Sequence, residues 1–96
     1  VLIRVDGVDR KAVAAATEAL GRELRRITRA HPPVSVIGPA PAALPRLVGR
    51  WRFQLVVRSE AYKPLRGFLA EARPALEGAA RKGIRVGWDV DPRHLM

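Results

Sequence analysis

The chain has 96 residues, 48% hydrophobic and 28% charged, with 18 basic against 9 acidic residues and a formal net charge of +9. That length suits one small domain with a single modest core, residues 1–96, and leaves no room for a second. The lack of cysteine excludes disulfides and thiolate zinc sites, and no apolar run approaches the roughly 20 residues that span a bilayer.

Val1-Leu2-Ile3-Arg4-Val5-Asp6 alternates, with Val1, Ile3 and Val5 on one side, and Asp6-Gly7 reads as the turn that ends this first strand. Asp9 is placed to cap a helix running to about Ala30, whose apolar positions Val13, Ala16, Leu20, Leu24 and Ile27 recur at spacings of three and four. Its outer surface carries Arg10, Lys11, Arg22, Arg25, Arg26 and Arg29, read as a solvated face that complements the helix dipole. Gly21 costs such a helix about 1 kcal/mol relative to alanine, which implies a close neighbour there.

His31-Pro32-Pro33 ends the helix, and Val34 to Ile37 reads as a short second strand. From Gly38 to Gly49 the chain is expected to leave the sheet as a stiff, partly polyproline-like loop, because its prolines fix φ and remove amide donors. A third strand follows, with Trp51, Phe53, Leu55 and Val57 on one face and Arg50, Arg52, Gln54, Val56 and Arg58 on the other. Tyr62, Leu65, Phe68, Leu69, Ala72, Leu76 and Ala79 form a helical stripe interrupted by Pro74. Two short helices, or one kinked near Arg73, are expected, with Pro64 tolerated in the first turn. Ile84, Val86, Trp88 and Val90 make the fourth strand, stopped by Asp91-Pro92.

The order strand, helix, strand, strand, helix, strand predicts an α+β, split βαβ (ferredoxin-like) domain. Its four-stranded antiparallel sheet has the order 4-1-3-2, with both helices on one face. The other face then displays Arg4, Arg50, Arg52, Gln54, Arg58 and Arg85, with Asp89 as their counterweight. Trp51, Phe53 and Trp88 fall on the inward phase and are expected in the core, since the reverse assignment would bury unpaired guanidiniums.

All but three of the 18 basic residues are arginine, which points to an anionic partner, nucleic acid first, unless the bias reflects genome composition. Catalysis has little inventory to draw on. Acylphosphatases share the topology but need an asparagine, and this chain has none. Gly78 to Gly83 lacks the spacing of a phosphate loop, so no nucleotide cofactor is expected. Asp89 and Asp91 share a strand face, but an ion pair with Arg4 and an Asx turn before Pro92 account for them. His31 and His94 are read as surface residues rather than metal ligands. A ligand-sensing or protein-interaction module of the same topology stands as the alternative to nucleic-acid binding.

Three motifs lie in a telling order: Gly38-Pro39-Ala40-Pro41-Ala42, then Gly49-Arg50-Trp51-Arg52-Phe53-Gln54-Leu55, then Asp89-Val90-Asp91-Pro92. Together they resemble the C-terminal domain of the bacterial primosomal replication-restart helicases (primosomal protein N-prime), across nearly the whole chain. The resemblance implies a cytoplasmic, non-catalytic fragment of a longer protein, consistent with a start at Val1, whose helicase core and zinc-binding region lie elsewhere. It also implies a fold like that of a small-subunit ribosomal protein and a part in holding branched or single-stranded DNA. On that reading Arg4, Arg50, Arg52, Arg58 and Arg85, with the loop residue Arg46, contact phosphates without sequence preference. The partners implied are DNA, the rest of the parent helicase, and the acidic, apolar tail of single-stranded-DNA-binding protein. For that tail the start of the second helix offers Tyr62, Lys63 and Arg66 beside Leu65 and Gly67.

Overall fold

The computed structural model describes residues 1–81 and 83–89, and the expected continuation of the last strand to Val90 and its stop at Asp91-Pro92 lie outside them. Six elements follow in chain order: β1 (Leu2–Gly7), α1 (Arg10–Thr28), β2 (Ser35–Leu47), β3 (Arg50–Arg58), α2 (Tyr62–Ala79) and β4 (Ile84–Asp89). The strands form one sheet in the order β2-β3-β1-β4, every neighbouring pair antiparallel. This is the expected order, 4-1-3-2, read from the other edge.

Alternation decides which face is covered. Ile3 and Val5 from β1, Leu55 and Val57 from β3 and Ile84 from β4 are buried in one cluster with Val13, Leu20, Leu24 and Ile27 of α1 and Leu65, Phe68, Ala72 and Leu76 of α2. Both helices therefore lie on the same face. Each fully buried aliphatic or aromatic side chain in this layer contributes about 1.5–3 kcal/mol. The α1 N-terminus is capped as its sequence requires: the Asp9 carboxylate accepts from the Lys11 and Ala12 amides at 3.0 and 3.3 Å. Gly21 has the close neighbours its cost implied. A Cβ there would meet Leu55 Cδ2 at 3.4 Å and Arg25 Nη1 at 3.3 Å.

Two expectations are corrected and one pair of alternatives is decided. First, the proline-rich stretch does not leave the sheet, because β2 runs 13 residues to Leu47 and pairs with β3 for most of that length. It does so irregularly. Between the pairs Ile37–Val56 and Ala40–Gln54 two residues of β2 run against one of β3, and between Pro41–Phe53 and Arg46–Trp51 four run against one. The physical reason is position: β2 is an edge strand, so an absent N–H at Pro39 or Pro41 is accommodated on the unpaired side or at a bulge. Gly38 sits at the first irregularity with φ +110°, where a Cβ would stand 2.9 Å from the Gln54 carbonyl oxygen. Val48 and Gly49, both at positive φ, close the hairpin to β3.

Second, of the two alternatives for the second helix the single one is found, with α2 continuous across Pro74. Pro74 and Ala70, whose carbonyl loses its donor, are both exposed, so water can satisfy what the proline removes. The buried stripe Leu65, Phe68, Ala72 and Leu76 then ties both halves to the core. Third, His31 is not a bare surface residue. Its ring meets Phe68 edge-on at 6.1 Å, lies against Gly67 and faces the Glu71 carboxylate at 3.4 Å.

Candidate nucleic-acid interface

The open face of the sheet is built by the residues that alternate with the core. Arg50, Arg52, Gln54, Val56 and Arg58 of β3 lie beside Leu2, Arg4 and Asp6 of β1, and beyond these stand Arg85, Gly87 and Asp89 of β4. Register sets the rows. Arg4 lies between Gln54 and Gly87, Asp6 between Arg52 and Arg85, and Leu2 between Val56 and Asp89. Arg58 lies opposite Ser35 of the edge strand. Five arginines from three strands thus occupy one surface, which a cation-rich backbone contact requires.

Asp6 is the hub of this surface, and reading it as a turn residue missed it. Its Oδ1 accepts from Arg50 Nε at 2.7 Å and from Arg85 Nε at 3.0 Å, and Arg52 faces it across the strand pair. Arg50 also donates through Nη2 to the Asp6 carbonyl at 3.4 Å. Partial burial raises the Asp6 pKa, but the hydrogen bonds from Arg50 and Arg85 and their charges outweigh that and hold it below the ordinary carboxylate range. Asp89, read as the counterweight paired with Arg4, instead lies opposite Leu2, while Arg4 faces the uncharged Gln54 and Gly87. The paired counter-charge sits on the interior strand β1 rather than on the edge strand β4.

Arg46 does not join the other five. It pairs with Trp51, an inward-phase residue, and its guanidinium stands 5.3 Å from the Trp51 ring, with Arg10 of α1 at 5.5 Å from the same ring. That places Arg46 on the helix side of the sheet, at the end where the β2–β3 hairpin turns. The extra residues between Pro41 and Arg46 set its side, and a reading of the stretch as a loop could not supply that count.

The inward phase of the aromatics holds, but their burial is incomplete. Phe53 packs against the core, Trp51 is half-buried under its two arginines, and Trp88 is 38% exposed on the last described turn of β4. Trp88 borders a hollow of about 160 Å³ with Leu69, Leu76 and Arg73. Trp51 lies at the hairpin end of the sheet and Trp88 on the edge strand β4, and there the helices cover them only in part.

At the start of α2, Tyr62 is 59% exposed, Lys63 and Arg66 are exposed, and the Arg66 guanidinium stands 5.8 Å from the Tyr62 ring. Leu65 is buried in the core and the His31 ring stands beside the exposed Gly67, so Leu65 does not line the apolar notch expected there. Of the side chains named for this site, Tyr62 supplies exposed apolar surface. The α1 arginines are partly engaged: Arg25 Nη2 donates to the Gly38 carbonyl, and Arg26 pairs with Glu23 through Nε at 3.0 Å and Nη2 at 2.5 Å.

Among the described residues no group of three or more histidine, aspartate or glutamate side chains could hold a metal ion, and no helix is long and apolar enough to cross a membrane. The family model for the primosomal protein N C-terminal domain matches residues 1–93. No curated protein matches the chain.

Proposed function

This chain belongs to the primosomal protein N C-terminal domain family, which indicates a role in the primosome and replication restart, and we propose that within that role it holds DNA through the open face of its sheet. The observation that carries the reading is the gathering of Arg4, Arg50, Arg52, Arg58 and Arg85 on one surface from three strands. Guanidinium groups spread over a flat sheet suit phosphate oxygens, and the aromatics stay on the other phase, so contact is to the backbone and independent of sequence. Arg46 and Arg10 beside Trp51 extend the positive surface around the end of the sheet. The domain is an accessory, non-catalytic and cytoplasmic, and forked or single-stranded DNA is its substrate, with motor activity left to the parent helicase.

Titration of the chain with labelled single-stranded, duplex and forked DNA at several salt concentrations tests this. With about four phosphates neutralised, log K falls against log salt with a slope near −3 to −4. Salt-independent affinity, or none for any of the three DNAs, would remove the reading.

A second contact is proposed at the start of α2, where Tyr62, Lys63 and Arg66 would receive the acidic, apolar tail of single-stranded-DNA-binding protein. Exposure of all three and the seat of Arg66 over the Tyr62 ring support it. Anisotropy with a labelled tail peptide should show binding that an Arg66→Glu change abolishes. Undiminished binding by that variant would sink the assignment.

A further inference from the structure

On the interior strand of the open face an acidic residue, Asp6, stands among three arginines, where a surface built only to attract phosphate would have none. Oδ1 of Asp6 receives Nε of Arg50 from one side and Nε of Arg85 from the other, at 2.7 and 3.0 Å, across pairs 44 and 79 residues apart in the chain. Arg52 lies directly across from it on β3. A carboxylate and a backbone phosphate are the same kind of partner to a guanidinium: each presents a pair of anionic oxygens and takes up the donors that the other would use. Asp6 therefore stands where a backbone phosphate spanning β3 and β4 would sit.

From this geometry, and resting on the DNA reading above, we propose that Asp6 is an intramolecular competitor for the DNA backbone, occupying Arg50 and Arg85 in the free domain and limiting how tightly the sheet face holds DNA. The side-chain exposures fit such an exchange. Arg85 is 69% exposed, so its far end can meet a phosphate before its Nε leaves Asp6, whereas Asp6 at 22% and Arg50 at 27% are held in the surface. Arg4 and Arg58, away from this hub, hold no ion pair among the described residues that DNA would have to displace. The face thus combines an open part and a restrained part, a device for reversible rather than lasting attachment.

The test is Asp6→Asn in the 96-residue chain, which keeps the shape and removes the charge, measured by anisotropy with labelled forked DNA across a salt series. Binding tightens by roughly three- to tenfold at low salt, and the slope of log K against log salt steepens by about 0.7–0.9, the value of one further phosphate. Thermal melting checks the fold, and if Asp6→Asn does not fold, Asp6→Thr, neutral and strand-favouring, carries the same expectation. In an Arg50→Gln/Arg85→Gln background the Asp6→Asn gain shrinks to less than twofold. A folded Asp6→Asn chain with unchanged or weaker affinity, or an equal gain in the background lacking both arginines, would overturn the proposal. Failure of the unsubstituted chain to bind any DNA would remove the DNA reading and this proposal with it.

Discussion

The sheet face and the outer surface of α1 carry similar numbers of arginines, yet the two surfaces use them differently. On α1 the guanidiniums turn to local work: Arg25 donates to the Gly38 carbonyl at the first irregularity of the edge strand, and Arg26 is bound side-on, through Nε and Nη2, to Glu23 one turn away. On the sheet, alternation holds Arg4, Arg50, Arg52, Arg58 and Arg85 on one side, and one carboxylate serves two of them. A helix distributes its side chains around a cylinder, whereas a sheet collects every second residue of three strands into a plane. Charge counted along the chain makes the two regions look alike, and only their geometry separates guanidiniums spread around a cylinder from guanidiniums gathered on one plane.

The sharpest way to break that comparison is paired charge reversal. Arg4→Glu with Arg58→Glu, which removes no ion pair seen among the described residues, is expected to weaken DNA binding on the order of a hundredfold, about two phosphate contacts at moderate salt. Arg22→Glu with Arg29→Glu on α1 is expected to change it less than about threefold. Anisotropy on the same labelled fork measures both, and equal losses would erase the distinction.

A smaller effect concerns stability. Arg25→Ala removes the donor to the Gly38 carbonyl and is expected to cost about 1 kcal/mol in chemical denaturation, with DNA affinity within about twofold. A large affinity loss without a stability loss would place Arg25 on the recognition side of the comparison.

The Asp6 hub adds a pH dependence of fixed sign. The Asp6 pKa is lowered in the fold, so its ion pairs contribute stability that is fully present above the unfolded value of about 4 and lost as pH falls through the lower folded value. The melting temperature of the native chain should therefore exceed that of Asp6→Asn at pH 7, and the gap should close progressively below about pH 4. A gap that stayed constant down to pH 2 would mean that the carboxylate's charge does not contribute. The smallest effect belongs to Glu23→Gln on α1, whose exposed pair with Arg26 should leave the melting temperature unchanged within error.

Much of the architecture was legible because burial writes a period into the chain. The alternation of Ile3 and Val5, and of Leu55 and Val57, and the three-and-four spacing from Val13 to Ile27 named the core layers and hence the open face. What stayed hidden depends on long-range placement. The prolines at 39, 41 and 45 forbid a central strand but not an edge strand, and no local pattern says which a segment will be. Pro74 stays inside a helix because its face is exposed and the stripe beneath it is not, a tertiary condition. Asp6 followed by Gly7 looks like a turn, and its role exists only once β3 and β4 flank β1. Arg46 changed sides for a related reason: its phase depends on extra residues in a strand that had been read as a loop.

The central claim, that the open sheet face and not the α1 surface receives DNA, is tested most directly by following backbone amide resonances of the isotopically labelled chain during titration with forked DNA. The account predicts the largest shifts at Arg4, Asp6, Arg50, Arg52, Arg58 and Arg85, with α1 from Arg22 to Arg29 little changed. Shifts confined to α1, with those sheet positions unmoved at saturation, would contradict it.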